Sequence, residues 1–216
     1  MENLHDEPTK RRLLEVAGRV FAEKGFRAAT VREICLAAEA NVAAVNYHFG
    51  DKHQLYLEAV KHAHRQRIEQ FPLPQWPEGT PAAVRLRDFV RTFLARVMHG
   101  EGRGWEVQLM LREVLNPTEA TAMLVQEYVR PHFELLNSIL AELLPESFPL
   151  ERRRLLAFSV IGQCLHYRVG RPIMQLLLSE EDFRRLQPDL LADHISNVIL
   201  AALGAAPPLA AEGESP

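Results

Sequence analysis

Residues 30–52 read T-V-R-E-I-C-L-A-A-E-A-N-V-A-A-V-N-Y-H-F-G-D-K, and the rest of the chain is read from how this stretch folds. Thr30 opens a helix with a capping box. Its hydroxyl accepts from the Glu33 amide, while the Glu33 carboxylate reaches back to the amide of Thr30. Val31, Ile34, Cys35 and Ala38 recur at helical spacing and give that helix one buried stripe. A turn at residues 39–41 follows, and Asn41 is placed to cap a second helix beginning at Val42. Val42, Val45 and Phe49 face inward on this helix. Ala43, Ala44, Asn46, Tyr47 and His48 stay outside, small and polar residues that a globular protein has little reason to display. Two short helices joined by a tight turn make a helix-turn-helix.

The flanks complete a three-helix unit. A helix from about Pro8 to Lys24 turns Leu13, Leu14, Val16, Ala17, Val20 and Phe21 inward, and Gly25 supplies its left-handed stop. Phe26 plugs the small core with Phe21, Ile34, Val45 and Phe49. Downstream, Gly50 breaks the chain and Asp51 caps a long helix over residues 52–70. Its stripe is Leu55, Tyr56, Ala59, Val60 and Ala63; His62, His64, Arg65 and Arg67 fall on its solvated side.

With T-K-R-R-L-L-E-V-A-G-R-V-F-A-E-K-G-F before it, the segment A-E-A-N-V-A-A-V-N-Y-H-F-G-D-K resembles the DNA-binding region of the TetR family of transcriptional regulators, over residues 10 to about 60. The resemblance implies that the second short helix enters the major groove. There Ala43 and Ala44 meet thymine methyls and Asn46 pairs with adenine. Tyr47, His48 and Lys52, with the helix start at Thr30, meet phosphates, and Asn41 heads the reading helix. The plainer alternative is an ordinary helical pair with Tyr47 and Phe49 as core. One residue departs from the family pattern: Glu39 stands where the family often has glycine, and at positive φ a residue with a Cβ is strained.

Composition sets the class without naming a partner. The chain has 216 residues, 47% hydrophobic and 25% charged, ordinary values for a soluble globular protein with a sizeable core. It contains no long uncharged apolar run, so no membrane span is expected. The start M-E-N-L-H-D-E-P lacks the basic and apolar regions of a secretory signal. Cys35 and Cys164 both lie in apolar helical patterns, which fits buried reduced thiols and a cytoplasmic location. The formal net charge is −3, so bulk charge gives no argument for nucleic acid. Residues 1–70 hold 11 Lys and Arg against 10 Asp and Glu, a net of +1; the remainder holds 14 against 18, a net of −4. The asymmetry places DNA at the N-terminal side, but the motif carries the reading.

Four prolines in residues 71–81 mark a boundary. Beyond it the pattern is helical throughout. Thr80 and Pro81 cap a helix to about His99, G-E-G-R-G breaks it, and W-E-V-Q-L-M-L-R-E-V-L forms the next. Asn116-Pro117-Thr118-Glu119 opens a helix that runs to about Leu144, kinked near 127–131 by Pro131. Residues 150–169 carry a broad apolar face: Leu155, Leu156, Phe158, Val160, Ile161, Cys164, Leu165, Tyr167 and Val169. Ser179 caps a short turn, and a last helix spans about 188–203. No strand period is visible. The expected fold is all-α. A helix-turn-helix domain occupies residues 8–52, with 52–70 as linking helix, and a C-terminal ligand-binding and dimerisation bundle covers 71–204. Residues 1–7 and 205–216 are expected to be disordered.

W-E-V-Q-L-M-L-R-E-V-L-N-P-T-E, Y-V-R-P-H-F-E-L-L and I-G-Q-C-L-H-Y-R-V-G-R-P resemble the C-terminal domain of CecR-like (CerR-like) TetR regulators over about residues 80–178. That resemblance implies a repressor whose effector domain takes a small molecule, often connected with antibiotic sensitivity and efflux. Gln163, His166, Tyr167 and Arg168 are polar groups on an apolar helix and need partners if buried. Either Gln163, His166 and Tyr167 line a ligand pocket with Trp105, Met110, Arg112, Glu113 and Phe133, or these groups pair internally or across a dimer interface. Cys164 and His166 point about 200° apart on one helix and cannot share a metal ion; His62 and His64 fail likewise. No catalytic motif is present, so no catalytic residue, metal or cofactor is expected. The reading is a ligand-responsive repressor that binds double-stranded operator DNA as a homodimer through helices 150–169 and 188–203, with an unknown small-molecule effector and no membrane partner. The alternative class is a helical small-molecule-binding or scaffolding protein whose helix-turn-helix makes protein contacts.

Overall fold

In the computed structural model, which describes residues 6–99 and 104–205, the first helix is broken by a glycine. Helix α1 (Asp6–Ala28) contains Gly25 at φ 78° and ψ 167°, a conformation closed to residues with a Cβ. The first helical run therefore stops at Gly25, as expected, and a further short turn continues past it to Ala28. α2 (Val31–Ala37), α3 (Val42–Phe49) and α4 (Lys52–Gln70) follow, then α5 (Ala82–Met98), α6 (Trp105–Leu115) and α7 (Glu119–Leu124). A π-helical turn (Val125–Val129) leads into α8 (Arg130–Glu142), and α9 (Leu150–Val169), α10 (Arg171–Leu177), α11 (Glu180–Arg185) and α12 (Pro188–Ala202) complete the chain. No strand occurs among the described residues; the fold is all-α. Of the segments expected to be disordered, Asp6 and Glu7 begin α1, and the Ala205 amide donates to the Leu200 carbonyl. Residues 1–5 and 206–216, like most of G-E-G-R-G, lie outside the described residues.

The chain packs as two units, and their division differs from the expected boundary at residue 71. Residues 104–129 belong with 6–70, and residues 71–99 belong with 130–205. The core of the first unit joins Leu13, Ala17 and Phe21 of α1, Ile34 and Cys35 of α2, and Val45 and Phe49 of α3 to Leu55, Ala59 and Val60 of α4. Trp105 and Leu109 of α6 and Ala120 and Leu124 of α7 close it. Gly18 permits this closure: a Cβ there would lie 2.0 Å from the Trp105 ring. Phe26 plugs the core as expected, its ring 6.5 Å from Phe21 and 5.0 Å from Tyr56.

Packing of α6, α7 and the π turn on α4 overturns one expectation. His64 and Arg67, read as solvated, are 8% and 5% exposed. The His64 ring lies 4.5 Å from that of Tyr128 in the π turn. The helix expected from residue 117 to 144 is likewise interrupted. Thr118 caps α7 through the Ala120 amide at 3.1 Å, with Thr121 closing a capping box. The bend ahead of Pro131 takes the form of the π turn, consistent with the missing N–H of that proline.

In the second unit α5 lies against α8, α9 and α12. Leu86, Phe89, Val90 and Leu94 meet Leu136, Ile139 and Leu140, Val160 and Cys164, and Leu191, Ile195 and Ile199. Thr80 does not cap α5; its hydroxyl donates to the Pro77 carbonyl at 2.7 Å. The apolar face of α12 is spent within its own unit, so the broad free face expected of both 150–169 and 188–203 is confined to the former. Leu155, Phe158 and Val169 of α9 are exposed, as are Ile173, Leu176 and Leu177 of α10, with Leu176 at 89%.

Candidate nucleic-acid interface

Two caps and one turn set the recognition pair. The Thr30 hydroxyl accepts from the Glu33 amide at 3.2 Å. The other half of the expected capping box is replaced, because the Glu33 carboxylate pairs with the Lys24 ammonium instead. α2 ends with the Glu39 amide donating to the Leu36 carbonyl at 3.3 Å and the Ala40 amide to the Cys35 carbonyl at 2.9 Å. This double closure places its C′ residue in the left-handed region, and Glu39 sits there at φ 50°, as anticipated for it. Asn41 then caps α3, its Oδ1 accepting from the Ala44 amide at 2.8 Å. Gly50, at φ 81°, stops α3, and Asp51 caps α4 through the Gln54 amide at 2.8 Å.

On α3, Val45 and Phe49 are buried, as expected, but Val42 is 47% exposed. It stands in the first turn, beyond the reach of the core. Val42, Ala43, Asn46 and Tyr47 therefore form one outward face, with Ala44 and His48 half-buried at its edge. Tyr47 is 75% exposed, its ring edge-on to His48 at 5.0 Å. The Asn46 side chain makes no hydrogen bond among the described residues, which leaves amide donors and acceptor free for a base edge. Lys52 is more tied than expected. Its ammonium lies 4.7 Å over the Phe26 ring and 3.4 Å from the Arg27 carbonyl. Two exposed cations escaped the sequence reading: Arg27, beside Lys52, and Arg32, in the first turn of α2. Their signal was present in the three positions on either side of the Thr30 cap.

The residues expected to line a ligand pocket fall in different units. Trp105, Met110, Arg112 and Glu113 lie on α6 of the first. Trp105 stacks with His62 at 6.3 Å, and burial, the leading cause, lowers the His62 pKa. Arg112 donates to the carbonyls of Ala22, at 2.5 Å, and Glu23. Glu113 is buried and accepts from the hydroxyls of Tyr56, Thr118 and Thr121. Burial, and then this carboxylate, push the Tyr56 phenol far above its ordinary range. Phe133, Gln163, His166 and Tyr167 lie on α8 and α9 of the second unit. Phe133 is 5.0 Å from Phe158, and His166 is exposed, 6.0 Å from the Tyr167 ring. Burial raises the Tyr167 pKa.

Known proteins share both halves of this chain. Residues 13–59 match the family model described as bacterial regulatory proteins, tetR family, and residues 82–206 match that of the C-terminal domain of the HTH-type transcriptional dual regulator CecR. CecR of Shigella flexneri is 27% identical over 184 residues, 79% of this chain and 80% of that protein. The HTH-type transcriptional repressor AcnR of Corynebacterium glutamicum is 46% identical over 54 residues, 24% of this chain and 29% of its own length. Among solved structures, AibR in complex with isovaleryl coenzyme A and operator DNA superposes with a TM-score of 0.65 at 22% identity, covering 88% of this chain and 97% of AibR. A tetR-family regulatory protein from Rhodococcus RHA1 superposes at 0.68 with 18% identity, over 92% and 98%. At these identities the two structures speak for the fold.

Proposed function

This chain belongs to the TetR family of bacterial regulators, in its CecR-like subgroup, and on that premise we propose that it is a ligand-released repressor acting on a palindromic operator as a homodimer. It is a DNA-binding transcriptional regulator, not an enzyme. The outward face of α3 carries the proposal: apolar Ala43 and Val42 beside an unengaged Asn46, on a helix whose diameter of about 10–12 Å fits a major groove. Asn46 reads a base, and Thr30, Asn41, Tyr47, His48 and Lys52 position the backbone, joined by Arg27 and Arg32.

One such helix contacts too few base pairs for specific binding, and helix-turn-helix dimers read half-sites about 34 Å apart. The exposed Leu155, Phe158 and Val169 of α9 support self-association there, with Leu190 on the outer side of α12. Sedimentation at micromolar concentration should give a dimer; a monomer refutes it. The effector site is drawn on Phe133, Gln163, His166 and Tyr167, because Trp105, Arg112 and Glu113 are committed to helix contacts. A ligand there releases DNA only to the extent that it binds the DNA-free disposition of residues 52–70 more tightly.

Selection of bound fragments from genomic DNA tests the reading. Discrete fragments with two half-sites should be enriched, and binding should weaken steeply with salt. Asn46→Ala should relax sequence preference at one position per half-site, at a cost of about 1–3 kcal/mol. No salt-dependent affinity for any duplex would favour the scaffolding alternative.

A further inference from the structure

α1 and α4 flank the recognition pair, α2 lying against α1 and α3 against α4. The angle between α1 and α4 therefore sets how α3 is presented. Two adjacent residues of α6 hold one flanking helix each. Arg112 reaches α1, where its Nε donates to the Ala22 carbonyl at 2.5 Å and its Nη2 to the Glu23 carbonyl. These are among the last carbonyls before the break at Gly25, a helix end where a cationic donor is favourable. Glu113, 2% exposed, reaches α4. It accepts from the Tyr56 hydroxyl, and its remaining capacity is filled by the Thr118 amide at 3.2 Å, the Thr118 hydroxyl at 2.9 Å and the Thr121 hydroxyl at 2.7 Å.

Core packing alone would hold α6 in place. Trp105 already fills the notch at Gly18, and Leu109 is fully buried. Buried charge contributes little net stability beyond such packing, since an apolar group of the same shape is often as stable. What it adds is direction, because a carboxylate with its donors filled tolerates one arrangement of them. We propose that Arg112 and Glu113 are positioning residues for operator recognition, holding α1 and α4 at one angle and so presenting α3, without touching DNA. The proposal rests on the operator reading above and names what sets its geometry.

Tyr56→Phe and Arg112→Met, with Arg112→Lys as the conservative variant, separate positioning from stability. Each full-length variant is scored for enrichment of the genomic fragments that the wild type selects. Affinity for random-sequence duplex and hydrogen exchange of the α2 and α3 amides are measured alongside. Loss of a hydrogen bond to a buried or cap-like group should reduce enrichment about tenfold or more. Random-duplex affinity and its salt slope should stay within about twofold, since phosphate contacts are untouched. Arg112→Lys should recover most of the loss, and the α2 and α3 amides should exchange faster in Tyr56→Phe and in Arg112→Met. Wild-type enrichment in both of those variants overturns the proposal, as does an equal loss on random duplex. If the wild type enriches nothing, the operator reading fails. The exchange data then decide separately, unchanged α2 and α3 protection in both variants overturning the positioning role.

Discussion

Replacing Glu39 by glycine should stabilise the first unit, and the gain can be worked from one dihedral angle. Glu39, at φ 50°, is the one non-glycine at positive φ among the described residues. It holds that angle because the two hydrogen bonds that end α2 require it. A residue with a Cβ costs about 1–2 kcal/mol there. Glycine removes this cost but returns about 0.4–1 kcal/mol of freedom to the unfolded chain. The difference between the two centres is a gain of about 0.8 kcal/mol. The Glu39 side chain is exposed and makes no ion pair among the described residues, so little is lost with it. For a unit of this size the gain corresponds to about 3–6 °C in Tm.

Fluorescence can follow that unit alone. Trp105 lies in its core and Trp76 in the other unit, so a Trp76→Phe background leaves Trp105 as reporter. Glu39→Ala is the control: it keeps the unfavourable φ but removes a negative charge near the C-terminal end of α2, which is worth about 0.3–1 kcal/mol. If alanine and glycine give the same midpoint, charge and not φ carried the effect. A glycine variant less stable than the wild type refutes the strain argument.

Gly18→Ala should lower the urea midpoint of the same unit by the equivalent of about 1–3 kcal/mol, because its Cβ meets a buried ring; an unchanged midpoint would refute the close approach. Asn41→Ala removes the α3 cap and should cost about 1 kcal/mol, read by the same midpoint. Burial holds the His62 imidazole below its ordinary 6.5, so the unfolded chain takes up that proton first. Stability is then full above pH 6.5 and falls as the pH drops through 6.5 toward the folded value. The decline in the Trp105-reported midpoint should be absent in His62→Gln, and an identical decline in that variant would assign it elsewhere.

What was legible in the sequence was local. The caps at Thr30 and Asn41, the break at Gly25 and the strained turn at Glu39 each depend on contacts within five residues, so spacing and side-chain chemistry suffice to find them. The stripes of α2 and α4 were equally plain, since an apolar face states its own requirement to be covered. A stripe does not say what covers it. The faces of α9 and α12 look alike in sequence, yet α5 packs against both and still leaves Leu155 and Phe158 of α9 outside.

Polar residues are harder to read because the partner defines the role. Arg112 and Glu113 admit two readings in the sequence, a ligand pocket or pairing within the protein, since a charge on an apolar helix needs a counterpart of either kind. Whether that counterpart is a ligand or another helix turns on chain about 50 to 90 residues away, at Tyr56 and at Ala22 and Glu23. The same holds for His64, covered by Tyr128 of the turn that begins at residue 125, and for Arg67, which lies beside Gly104 at the head of α6. Substitution experiments should register this difference in kind. Shortening Leu109 removes packing and should weaken folding and every DNA contact together, by about 2–5 kcal/mol in stability. Altering Arg112 removes direction, and its effect should fall on sequence discrimination first.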